Sequence, residues 1–263
     1  MHKRPVALIT GAGRTINIGT AIARTLVSAG WDIAMTYWRP YDTLMADTFL
    51  QQEGAPPGWG SSPEELEGVC AELRQAGAQV CTVEADLAGT EASEQVFDFV
   101  EHHLGSVTAL IMSHCHSVDS DILTTSVESF DRHFAVNARA VWLLVREFGR
   151  RFKGEPGSGR IIGITSDHTA GNLPYGASKG AMDRIIIAAA HEFRSPGIRA
   201  NVINPGATDT GWMDTALMKQ VASMTLAGRV GLPQDCANLV GFLCSPEGGW
   251  INGQLLYSDG GLG

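Results

Sequence analysis

The sequence predicts an α/β fold: a doubly wound parallel sheet of about seven strands with helices on both faces, in a single domain over residues 1–263. Three observations carry this expectation. Short apolar runs alternate with segments of helical period along most of the chain. A glycine-rich turn separates the first run from the first helix. The length of 263 residues suits one core, because single hydrophobic cores stop growing near about 250–300 residues.

The elements follow in order. Val6–Thr10 is the first strand, and residues 20–29 form the first helix. Ile22 and Leu26 stand four apart and share its buried face, and Gly30 marks its end. Residues 33–37, 79–84, 109–113, 160–165, 198–203 and 254–258 read as the later strands. Pro63–Gln75 and residues 91–103, 130–152, 175–193 and 234–244 read as helices between them. Ser62 as N-cap, Pro63 at the first helical position and Glu65 as the returning acid make a capping box. The stretch 40–62 is long for a connection between strand and helix and reads as an insertion, with Trp38, Tyr41 and Trp59 as packing anchors.

Composition narrows the function. A net charge of −9 excludes a general nucleic-acid or anionic-membrane binder, because phosphate contacts need clustered Lys and Arg. Cys70, Cys81, Cys115, Cys236 and Cys244 are odd in number and form no C-x-x-C pair, which points to reduced thiols in a cytoplasmic protein. The apolar stretch near the N-terminus is too short for a signal peptide or a membrane span. His114-Cys115-His116 resembles a metal cluster, but adjacent residues of an extended chain point to opposite faces, so no metal is expected. The pair Asp167-His168 lacks a nucleophile elbow and reads as lining, not as a charge relay.

The chemistry concentrates at two motifs. Thr10-Gly11-Ala12-Gly13-Arg14-Thr15-Ile16-Asn17-Ile18-Gly19 links a strand to a helix, where small residues and the helix N-terminus can receive a pyrophosphate. The second strand ends in Thr36-Tyr37-Trp38-Arg39 with no acid for a ribose 2′-hydroxyl, while Asp32 lies at its far end. Arg39 and Arg14 suit a 2′-phosphate, so NADP(H) is favoured over NAD(H). Tyr175 and Lys179 share one helix face, and a nearby ammonium is expected to lower the phenol pKa for proton transfer. Ser166 ends a strand just upstream, at the carboxyl edge where ligands bind in such sheets.

Taken together these residues resemble the short-chain dehydrogenase/reductase family over nearly the whole chain, closest to 3-oxoacyl-acyl-carrier-protein reductases. The resemblance implies a Rossmann fold and a catalytic set of Asn137, Ser166, Tyr175 and Lys179, with Thr165 as the other candidate for the hydroxyl. It implies cofactor contacts at Gly11, Gly13, Arg14, Ile18, Gly19, Arg39, Asp86, Leu87, Ser113, Tyr175, Lys179, Pro205 and Gly206, and at Thr208 or Thr210. Asp86 would contact the adenine, and Asn137 would anchor a water that links Lys179 to solvent. Residues 211–227 would cap the substrate, and the helices at 130–152 and 175–193 would pack in a homodimer or homotetramer. The expected reaction is NADPH-dependent reduction of a small-molecule ketone. The alternatives are an enoyl-thioester reductase, suggested by a glycine turn about two residues longer than the family's, and a non-catalytic dinucleotide sensor. Met112-Ser113-His114-Cys115 departs from the family's Asn-Asn-Ala-Gly.

Overall fold

The computed structural model describes residues 4–50 and 62–262. Seven strands form one sheet in the order β3-β2-β1-β4-β5-β6-β7. They are β1 (Val6–Thr10), β2 (Asp32–Tyr37), β3 (Val80–Glu84), β4 (Val107–Met112), β5 (Arg160–Ile164), β6 (Arg199–Asn204) and β7 (Leu255–Tyr257). Every neighbouring pair is parallel. All five residues of β1 are buried, and the first four alternate between two cores. Ala7 and Ile9 face the layer of α1 (Ile18–Ser28), α3 (Pro63–Gln75) and α9 (Pro233–Cys244). Val6 and Leu8 face the layer of α4 (Ala92–His103), α6 (Ala140–Arg151) and α7 (Leu173–Glu192). Strand order reverses direction between β1 and β4, and the crevice beyond their carboxyl ends is where such sheets bind ligands.

The structure amends three expectations. The stretch read as an insertion at 40–62 begins as a helix: α2 (Arg39–Leu50) follows β2 almost directly. Trp59 lies outside the described residues. The helix read at 130–152 begins earlier, as α5 (Val127–Phe134), and passes through a π-turn (Ala135–Arg139) before α6. Within 211–227 a further helix forms, α8 (Thr215–Met224), capped by Asp214 accepting from the Leu217 amide.

The box at the head of α3 forms as the sequence predicts. The Glu65 amide donates to Ser62 Oγ at 3.1 Å, and the Ser62 amide donates to Glu65 Oε2 at 3.0 Å. Ser62→Ala is expected to cost about 1 kcal/mol in urea unfolding, and an unchanged midpoint would show that the cap adds nothing. Behind the site, α7 closes tightly on β5. A side chain at Gly163 would stand 2.4 Å from the Met182 methyl, so the bare backbone there lets the helix approach.

Candidate active site

The crevice is built at the carboxyl ends of the strands. Gly11, Gly13, Arg14 and Asn17 from the turn after β1 form one wall, and Asp86 and Leu87 beyond β3 form another. Ser113, His114, Cys115 and His116 follow β4, and Tyr37, Trp38, Tyr41 and Asp42 come from the β2–α2 junction. Gly11 presses on the loop after β4: a Cβ there would lie 2.6 Å from His114 Cα. Asn17 caps α1 by accepting from the Thr20 amide at 2.6 Å, and the first turn of α1 carries no acid. Its partial positive charge therefore faces the crevice unopposed from within the helix.

Tyr175 and Lys179 lie one turn apart on α7, as their spacing requires. The helix start is tied down, because Asn172 Nδ2 donates to Ser117 Oγ at 2.9 Å and to Asp119 Oδ1 at 2.6 Å. Ser166 follows β5, its Oγ accepting from the His168 amide at 3.2 Å, and the His168 ring stands 6.4 Å from the Tyr175 ring. Thr165 Oγ1 lies 3.5 Å from the Lys179 carbonyl. Lys179 is buried, with Nζ donating to the Ile164 carbonyl at 2.8 Å and lying 5.8 Å from the Tyr175 ring centre.

The electrostatics correct one expectation. The Tyr175 pKa is raised, not lowered: burial dominates, the nearby Cys115 adds to it, and only the neighbouring Ser166 hydroxyl opposes. The phenol is consequently held in its protonated form. The Asn137 side-chain amide is engaged with the protein. Its Oδ1 accepts from the His116 amide at 2.7 Å, and its Nδ2 donates to the His116 carbonyl at 2.8 Å and to Ser178 Oγ at 2.9 Å. It fixes the loop after β4 onto the π-turn, a feature common at functional sites.

Other expected cofactor residues fall into two groups. Gly11, Gly13, Arg14, Asp86, Leu87 and Ser113 converge on the crevice. Asp86 is held by Arg132 through two bonds of 3.0 and 3.1 Å, so its carboxylate is not left open for adenine alone. Arg39 pairs with Glu84 at 3.1 Å and reaches the Tyr37 hydroxyl at 3.3 Å, yet its Nε is buried with no hydrogen-bond partner among the described residues. Arg14 lies 3.5 Å from Asp42. Ile18 packs on the core beneath the glycine turn, and Gly19 sits against Ala12. Pro205 and Gly206 follow β6, and Thr208 Oγ1 folds back onto the Pro205 carbonyl at 3.2 Å. Thr210 is half-buried further along.

Sequence reasoning missed how the two histidines divide. His114 turns inward, with Nδ1 2.6 Å from Thr10 Oγ1 and Nε2 3.1 Å from the Val136 carbonyl. Burial pushes its pKa down to about 3, so it is a neutral strut. His116 turns outward onto the Tyr41 ring at 5.4 Å and the His133 ring at 4.6 Å. The Tyr41 hydroxyl accepts from the Ser117 amide at 3.2 Å, which draws α2 across the crevice. No local motif marks this contact, since its partners stand 76 residues apart.

Comparison with known proteins decides the family. The family model described as enoyl-(acyl carrier protein) reductase matches residues 45–263. An uncharacterized oxidoreductase of Bacillus subtilis, YjdA, is 35% identical over 98% of this chain and 96% of its own. The chain belongs to the short-chain dehydrogenase/reductase family. It is an oxidoreductase of that type, and its single seven-stranded parallel sheet is the fold of that family. NADPH-dependent aldehyde reductase 2 of Arabidopsis thaliana, a chloroplastic protein, is 32% identical over 97% of this chain and 93% of its own. The solved angucycline C-6 ketoreductase LanV with bound NADP superposes with a TM-score of 0.82 at 25% identity, covering 98% of this chain and 95% of that one. The crevice fits a dinucleotide on its own terms: a bare glycine turn, a helix N-terminus without acids and the arginines Arg14 and Arg132 surround it.

Proposed function

We propose that the chain is an NADPH-dependent reductase that converts a ketone, such as a 3-oxoacyl thioester or a related apolar carbonyl, to an alcohol. The observation that carries this reading is the placement of half-buried Tyr175 and buried Lys179 one turn apart on α7, with Lys179 Nζ donating to the Ile164 carbonyl at 2.8 Å just before the strand end that carries Ser166. The nicotinamide, when bound, supplies the hydride. Tyr175 donates its phenolic proton to the carbonyl oxygen as negative charge grows there. Ser166 donates a second hydrogen bond to the same oxygen. Lys179 stabilises the phenolate left behind and holds the ribose hydroxyls. Asn137 keeps the His116 backbone in place opposite them.

The choice of NADP(H) is supported by Arg39 and Arg14 near the end of β2 and by the names of the two reductases above. A 2′-phosphate would compete with Glu84 and Asp42 for these two cations. The segment 211–227, with α8, is read as the substrate cap; its half-exposed Trp212 and Met224 support an apolar substrate. Half-exposed Phe130 and Trp142 on α5 and α6 support assembly as a dimer or tetramer. The five thiols, all free, support a cytoplasmic setting.

A panel of aldehydes, ketones, 3-oxoacyl thioesters and enoyl thioesters, each assayed with NADPH and NADH, tests the reading. Oxidation of NADPH with a carbonyl substrate, at least about ten-fold better in kcat/KM than with NADH, is the expected result. Turnover of enoyl thioesters alone would transfer the assignment to the enoyl reductase that the family description names.

A further inference from the structure

Helix α7 starts on an asparagine that does not cap it. Asn172 occupies the N-cap position, where an asparagine side-chain oxygen ordinarily accepts from a free amide of the first turn. Here the side chain makes no such bond. Asn172 is 4% exposed, and its Oδ1 is enclosed with no hydrogen-bond partner among the described residues. Its Nδ2 reaches away from the helix instead, to Ser117 Oγ at 2.9 Å and Asp119 Oδ1 at 2.6 Å on the loop after β4. The Leu173 amide, the first of α7, donates to the Ser120 carbonyl of the same loop at 3.0 Å. Donors at the head of this helix thus go to one loop, while a buried oxygen is left unpaired at a cost in stability.

We propose that Asn172 is a positioning residue for carbonyl reduction, which forgoes capping α7 in order to hold the loop after β4 against the turn that carries Tyr175. This rests on the reading of Tyr175 as the proton donor. The placement of the ties supports it. Asn172 stands three residues before Tyr175, and Ser178 stands three after it. Ser178 Oγ donates to the Tyr175 carbonyl at 2.8 Å and accepts from Asn137 Nδ2 at 2.9 Å, and Asn137 also holds the His116 backbone. The loop is therefore fixed to α7 on both sides of Tyr175, through Asn137 and Ser178 on one and through Asn172 on the other. The same loop carries Ser113, His114, Cys115 and His116, which line the crevice. These ties set the spacing between phenol and crevice wall, and a misplacement of about 1 Å can cost about 10²-fold in rate. Helix capping gives no reason for the arrangement, because a capping side chain would pair its oxygen and leave the loop unheld.

Two substitutions separate positioning from helix stability. Asn172→Ser keeps a residue that caps as well as asparagine but is too short to reach Asp119. Asp119 is exposed, so water takes the place of the lost donor there. The melting temperature should therefore hold, while kcat for carbonyl reduction falls about 10–100-fold with the KM for NADPH unchanged. Asn172→Asp should lose as much, because it sets a second carboxylate against that of Asp119. Adding Asp119→Asn to Asn172→Asp restores one donor and one carboxylate across the same gap, and kcat should return to within about three-fold of the native enzyme. A second readout needs no turnover. Amide exchange over residues 117–121 and 173–178, followed by mass spectrometry, should quicken in both single variants and slow again in the exchanged pair. Asn172→Ser alone carries the test should Asn172→Asp not fold. If the native chain reduces no carbonyl, the proposed function fails while the exchange still decides the tie. Native kcat in Asn172→Ser overturns the inference, as do exchange rates that stay native in the single variants. A loss of kcat that merely follows a fallen melting temperature, or that the exchanged pair does not recover, overturns it as well.

Discussion

Replacing Tyr175 by Phe is expected to lower kcat for carbonyl reduction by about 10²–10⁴-fold, the usual worth of a positioned general acid. The fold should survive. The change deletes only one hydroxyl, so Tm should move by no more than about 4 °C. Burial and Cys115 hold the phenol in its protonated form, which is the form a reductase needs when the carbonyl arrives. Cofactor-oxidation rates and a thermal melt on the same preparation check both halves. Retention of kcat within about three-fold, less than any general acid supplies, would remove Tyr175 from the reaction and favour the dinucleotide sensor.

Gly176→Ala should have the second largest effect, although the residue contributes no functional group. A Cβ at Gly176 would lie 1.9 Å from the carbonyl oxygen of His168, a backbone atom that no side-chain rotation can move away. The loop after β5 and the first turn of α7 must separate, and with them Ser166 and Tyr175. Unfolding should show a loss of about 1–3 kcal/mol, and kcat should fall by about 10²-fold through misplacement alone. Gly180, four residues on, is the control. A Cβ there meets nothing within 4 Å, so Gly180→Ala should stabilise the helix by about 0.5–1 kcal/mol with activity intact. Equal behaviour of the two variants would show that the tight approach at Gly176 is unimportant.

The strands, the box at Ser62 and the order of the site residues were legible because each is written locally, in apolar period, cap chemistry or spacing. Helix α2 was not, because Pro40 and the Gly- and Pro-rich residues near 54–63 read as loop signals. The fate of Arg39 depends on register: Tyr37 of β2 pairs with Glu84 of β3, and this brings Glu84 to the guanidinium. The sign of the Tyr175 shift was misread because spacing alone implies an ammonium at hand. Which effect wins depends on burial, and burial is a property of the whole fold. The Asn137 position was legible, but the closure of its amide onto His116 depends on a loop 21 residues away.

The π-turn at Ala135–Arg139 has a further consequence for the long rod from residue 127 to 151. One surplus residue turns everything after it by about 100° around the axis. Before the turn, Arg132 looks into the nucleotide crevice; after it, Val141, Leu144, Val145 and Phe148 look into the core. A single rod thereby shows two different sides to two different neighbours. Excising one residue from the turn would restore regular winding, but it would swing one of the two stripes out of alignment with its neighbour.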